Sequence, residues 1–158
     1  MRGLEITEQI SIDAPPERVL TAFVDARDLG AWWQIERSVT VARPLGTYAV
    51  EWRSTAYRDE ILGPLGGAFH GTVMEYQAGR ELFVADAFWN PPEGDPVGPM
   101  ALEVRCVPQP PGSTRVTVRL SGEDDGPRWQ RYFAVMRAGW PRALAELKRY
   151  LEAEAFRY

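Results

Sequence analysis

Residues Gly126–Tyr158 read GPRWQRYFAVMRAGWPRALAELKRYLEAEAFRY, and from Trp129 the large apolar side chains fall at Phe133, Met136, Trp140, Leu144, Leu147 and Leu151. Steps of three and four place all of them on one stripe of a helix with 3.6 residues per turn. Proline at position 127 suits the first helical turn, where an amide hydrogen has no partner. Nearly every other regular segment of the chain reads as a short alternating strand. A helix with so bulky an aromatic stripe needs a curved sheet to cover it, and that arrangement predicts a pocket between the two.

At 158 residues the chain has the usual size of one domain. With no internal repeat and no dividing linker, residues 1–158 are expected to form a single domain. Hydrophobic residues at 45% and charged residues at 25% are globular values that exclude a disordered chain. A net charge of −4 and a pI near 5.1 argue against nucleic acid as a partner, because phosphate-backbone affinity comes from clustered Lys and Arg. Cys106 is the sole cysteine, so no internal disulfide is expected. Met1 leads almost directly into a strand pattern without an apolar signal region, and no apolar run is long enough to span a membrane. A cytoplasmic protein is the expectation.

Working outward from the helix, Leu4, Ile6, Ile10 and Ile12 alternate on one face of a first strand, with Glu8 sharing that face. Asp13-Ala14-Pro15-Pro16-Glu17 stops the strand and opens a short helix whose inner side is Val19, Leu20, Phe23 and Val24. A second short helix is predicted over 27–33, with Leu29, Trp32 and Trp33 facing inward. Strands follow at Val39 and Val41, and at Thr47–Trp52 after a Pro44-Leu45-Gly46 turn. Residues 54–67 are rich in turn formers and read as a surface loop with enough apolar character to act as a lid. Phe69–Gln77, the Ala78-Gly79 turn and Arg80–Trp89 form a hairpin signature. After a loop over 90–99, Met100, Leu102, Val104 and Cys106 alternate in one strand, and Val116, Val118 and Leu120 in the last.

Several segments together carry a family resemblance: Ile12 to Val19, Trp32-Trp33, Gly71-Thr72-Val73-Met74-Glu75 with Gly79-Arg80-Glu81-Leu82, and Gly139-Trp140 with Leu144, Leu147 and Tyr150-Leu151. In order and spacing they resemble the bacterial proteins related to the C-terminal domain of the activator of Hsp90 ATPase (AHSA1-like), within the START-like, Bet v 1-like (SRPBCC) superfamily. The resemblance spans essentially the whole chain. It implies an α+β helix-grip fold: a curved antiparallel sheet of six to seven strands wrapped around a long C-terminal helix, two short helices after the first strand, and an apolar cavity. It implies little about activity, because the superfamily contains binders of different ligands and a few enzymes.

The chemistry-bearing residues are sparse. His70 is the only histidine, which excludes a multi-histidine metal site, and neither a metal nor a cofactor is expected. Cys106 shares its register with apolar neighbours and reads as core. The glycines of 63–71 lack the Gly-Lys-Ser/Thr ending of a phosphate loop. Glu123-Asp124-Asp125 complements the N-terminus of the long helix. Glu8 and Asp86 each alternate onto an apolar face, Asp86 with Leu82, Val84 and Phe88. Either they point into the cavity, where an unpaired carboxylate is costly, or a bulge or sheet edge turns them to water.

The aromatic residues pose the same choice between filling a core and lining a cavity. Trp129, Tyr132, Phe133, Met136 and Trp140 are the expected helix wall, with Trp33, Trp52, Phe69, Phe83 and Phe88 contributing from elsewhere. The leading expectation is a binder of a small apolar or amphipathic molecule. Two alternatives are a module acting on an Hsp90-type chaperone, suggested by the family resemblance, and a hydrolase or cyclase using Glu8, Asp86 or His70 as acid or base. A homodimer stays open.

Overall fold

The computed structural model describes residues 3–155; positions 1, 2 and 156–158 of the expected domain lie outside the described residues. Strand β1 (Leu4–Ile12) keeps the alternation of its sequence, with Ile6 and Ile12 buried and the intervening odd-numbered residues exposed. Helix α1 (Pro16–Thr21) begins with Pro16 in its first turn, and α2 (Ala26–Trp32) is capped by Asp25, whose carboxylate accepts from the Asp28 amide. Next come β2 (Ile35–Thr40), β3 (Thr47–Trp52), the two-residue strands β4 (Arg58–Asp59) and β5 (Gly63–Pro64), and then β6 (Ala68–Gln77) and β7 (Glu81–Asn90). Strands β8 (Val97–Gln109) and β9 (Ser113–Gly122) lead into α3 (Pro127–Ala155).

Seven strands form one antiparallel sheet in the order β1-β9-β8-β7-β6-β3-β2, and β4 pairs with β5 apart from it. This is the expected α+β helix-grip: a long C-terminal helix held in the hollow of an antiparallel sheet. Some element boundaries differ from the sequence expectation. Residues 54–67 are a loop that contains the β4–β5 hairpin and buries Leu62. Strand β8 starts at Val97, earlier than its alternating residues suggest, and α3 continues past Leu151 to Ala155.

A larger difference concerns register in β7. Its pairing with β8 shifts between Val84 and Ala87, and Asp86 has φ 49°, a left-handed conformation that the short side chain of Asp tolerates. One extra residue reverses the alternation beyond it. Leu82 and Val84 are buried, but so are Ala87 and Trp89, which leaves Asp86 exposed and Phe88 on the outer face. Opposite this bulge Gly71 approaches so closely that a Cβ would lie 2.8 Å from the Ala85 carbonyl oxygen. The absence of a side chain there lets the sheet bend.

The closed end of the grip is held by charge. Arg18 of α1 forms a bidentate pair with Asp28 of α2 (Nη1–Oδ2 2.7 Å, Nη2–Oδ1 2.8 Å) and also reaches Glu154 of α3 (Nε–Oε2 2.8 Å). Tyr150 of α3 donates to Asp28 at 2.7 Å. Burial pushes the Asp28 carboxyl up, but hydrogen bonds from Arg18 and Tyr150 outweigh it and hold the group below its ordinary value.

Candidate functional site

The pocket follows from how three elements meet. Trp32 is drawn into the core, its indole N–H donating to the Ala22 carbonyl at 2.8 Å. The next residue, Trp33, ends the helix and stacks flat on Trp32 with ring centroids 5.0 Å apart. From that position Trp33 meets Trp52 of β3 edge-on at 5.2 Å and Trp140 of α3 at 5.1 Å. Gln34 then turns the chain with φ 58°, and its carbonyl accepts from the Arg53 amide. The main hollow beside these rings has a volume of about 480 Å³. A second lobe of about 250 Å³ shares Gln34, Trp52, Leu65, Tyr132 and Met136 with it.

Six of the residues expected at a cavity line this space: Trp33, Trp52, Phe69, Tyr132, Met136 and Trp140. The other six do not. Phe83 projects from the face opposite Leu82 and Val84, and Phe88 is turned outward by the β7 bulge to stack on His70 at 6.1 Å. Asp86 is the exposed bulge residue itself. Trp129 covers Gly122, where any Cβ would overlap its ring, and stacks on Phe133 at 6.3 Å. Phe133 is buried in the packed core. Glu8 keeps its inner-face register opposite Val118, half-buried, without reaching the pocket lining.

These positions separate the groups on which acid–base chemistry would have depended. Glu8 is on the inner face, Asp86 on an outer bulge, and His70 on the outer face with Asn90 at 2.9 Å, so none lines the aromatic pocket. Burial pushes the Cys106 thiol up to about 12, which leaves it protonated and unreactive. Among the described residues, no group of three or more His, Cys, Asp or Glu is placed to hold a metal ion.

The pocket wall is apolar with a few hydrogen-bonding groups. Tyr132 is 2% exposed, stacks on Trp89 at 5.1 Å, and among the described residues its hydroxyl has no partner. Burial raises its pKa above the ordinary phenol value. Among the described residues the buried Trp140 indole N–H has no acceptor, an arrangement that native interiors rarely leave. Arg142 and Glu146 stand at the rim, where Glu146 is held by Arg149 at 2.6 Å.

Leu65 and Gly66 roof the second lobe from the β4–β5 segment, which is fastened twice. Trp89 donates to the Gly66 carbonyl at 2.8 Å, and Arg131 of α3 binds Asp59 through Nε and Nη2 at 2.8 and 2.6 Å. Hydrogen bonds from Arg131, with the Ile61 and Leu62 amides adding to them, lower the Asp59 carboxyl to about 2. Sequence reasoning missed Gln34, Leu65, Gly139 and Arg142 as lining residues. For Gly139 a signal existed: a glycine two residues before Pro141, in mid-helix, weakens the helix twice.

Comparison with known proteins agrees with this architecture. A family described as "Activator of Hsp90 ATPase homolog 1-like protein" matches residues 13–152. Among solved structures the chain is similar to protein MLL2253 from Mesorhizobium loti, at 18% identity and TM-score 0.71, covering 95% of this chain and 98% of that one. It is similar also to CV1439 from Chromobacterium violaceum, at 24% identity and TM-score 0.69 over 94% and 98% of the two chains. For Ms6760 from Mycobacterium smegmatis the values are 16% and 0.72, over 96% and 92%. No curated protein matches the chain in sequence. At these identities the solved structures establish the fold, while the family match covers most of the sequence, from the turn before α1 almost to the end of α3: the chain belongs to the Activator of Hsp90 ATPase homolog 1-like family.

Proposed function

We propose that this protein binds a small, flat, apolar or amphipathic molecule in the pocket between Trp33, Trp52 and α3. Members of the family commonly bind hydrophobic ligands, which fits an aromatic hollow of this size. The observation that carries the reading is Gly139. A glycine inside a helix costs about 0.5–1 kcal/mol relative to alanine, and the usual structural reason for it is close approach of a neighbour. Here a Cβ at residue 139 would meet no atom within 4 Å, and the position lines the pocket. The missing side chain therefore keeps space open rather than permitting packing, at a cost to the helix.

Gly139→Leu tests this directly, because the new side chain has room and a better helix propensity. The variant is expected to melt about 2–4 °C higher than wild type, corresponding to about 1 kcal/mol. It is also expected to lose ligands that native mass spectrometry and thermal shift detect on the wild type from a panel of lipids and aromatic metabolites. A wild type that binds nothing in that panel, or a Gly139→Leu variant that binds as well as wild type, would overturn the proposal.

A further inference from the structure

Resting on that binding reading, we infer that the pocket selects a planar aromatic carboxylate, with its rings against the tryptophan wall and its acid group on Arg142. The inference comes from a count of hydrogen-bonding capacity. Among the described residues the uncommitted polar groups of the main lobe are mostly donors: the indole N–H groups of Trp33, Trp52 and Trp140, and the guanidinium of Arg142, with the Gln34 amide able to donate or accept. Tyr132 can also donate. An indole or guanidinium nitrogen has no acceptor capacity, so an acceptor has to be brought to each: water serves exposed Arg142, and the buried Trp140 N–H takes one from whatever enters the hollow.

Charge points the same way. The one carboxylate on the lining, Glu146, is already bound to Arg149, whereas Arg142 has no acidic partner among the described residues. A protein with a net charge of −4 thus presents an uncompensated cation at the rim of an apolar hollow. Arg142 lies ten residues beyond Tyr132 on the same helix, about 15 Å along its axis. A rigid molecule with a carboxylate at one end and two fused rings behind it would set its acid on Arg142 and its rings against Trp33, Trp52 and Trp140. The aromatic wall alone would also accept an organic cation through its ring faces, but Arg142 at the rim opposes one.

The experiment uses three probes of nearly one shape: naphthoic acid, naphthamide and naphthylmethylamine. Titrations followed by tryptophan fluorescence and calorimetry at neutral pH compare wild type with Arg142→Gln. The acid is expected to bind wild type about tenfold more tightly than the amide and more tightly still than the amine, the advantage shrinking as salt is added. In the Arg142→Gln protein the acid's advantage is expected to vanish while the amide's affinity is unchanged. Saturable binding of the amide or the amine at least as tight as the acid would overturn the carboxylate assignment and leave the binding reading standing. An acid preference that survives Arg142→Gln would likewise overturn it. Failure of all three probes to bind would overturn the carboxylate assignment, while the binding reading stands or falls separately on the lipid and aromatic metabolite panel.

Discussion

Met136 and Leu147 share a stripe on α3, yet they meet different surroundings. Leu147 is fully buried against the packed core, whereas Met136 is half-buried and faces both lobes of the pocket. Leu147→Ala should therefore leave a cavity that the core cannot close, costing about 2–5 kcal/mol in urea unfolding. Met136→Ala removes atoms that already border empty space, and its cost should stay under about 1 kcal/mol. Equal losses would return Met136 to the packed core.

The same contrast shows what sequence can reveal at a single position. Helical period places Tyr132, Phe133, Met136 and Trp140 on the inner half of α3, but it does not distinguish a facet that touches the sheet from one that touches a void. Phe133 is covered and Tyr132 lines the hollow, although they are adjacent. Asp86 was illegible for another reason: one residue in a left-handed conformation inverts the faces of everything after it in β7, and Asp is only moderately favoured there over other residues.

Among the elements, strands with one buried face were readable because burial writes a period of two into their sequence, as in β1 and in β8 and β9. The β4–β5 hairpin was not, since two-residue strands are too short to carry a period, and what fixes them is a tertiary pair, Arg131–Asp59, contributed by a helix 72 residues away. That pair makes a prediction for the element. Asp59 has a folded-state pKa lowered to about 2, so its stabilising effect is complete above the ordinary carboxylate range and fades as the pH falls toward about 2. Amide protection factors of Ile61 and Leu62, whose N–H groups also donate to Asp59, should drop through that window in wild type. Arg131→Gln should lower them several-fold already at neutral pH, with the protection of β6 to β9 unchanged. Protection that is insensitive to Arg131 would mean that the roof of the second lobe is held by Trp89 and apolar contacts alone.

At the scale of the molecule, the grip is held at one end by charge and opened at the middle by omission. Arg18, Asp28, Tyr150 and Glu154 join α1, α2 and the last turns of α3, while Gly139 and Pro141 loosen the same helix where it borders the pocket. A hollow of this kind can persist in such a fold because the helix is anchored away from it. Removing the anchor should therefore be felt globally. Asp28 is 5% exposed, and replacing it with Ala takes from Arg18 its bidentate partner and from the Tyr150 hydroxyl its acceptor; the cost should be about 2 kcal/mol, below that of a fully enclosed pair because Arg18 still reaches Glu154 and keeps part of its side chain in water. The pH dependence follows from the lowered pKa of Asp28: its contribution is present above the ordinary carboxylate value and is lost as the group protonates below it. Urea unfolding of wild type should show an acid limb to which Asp28 contributes, and Asp28→Asn should flatten that limb while lowering stability at neutral pH. If the variant instead matches wild type at neutral pH, apolar packing of Leu144, Leu147 and Leu151 alone holds α3 in the sheet, and the charge cluster only orients its end.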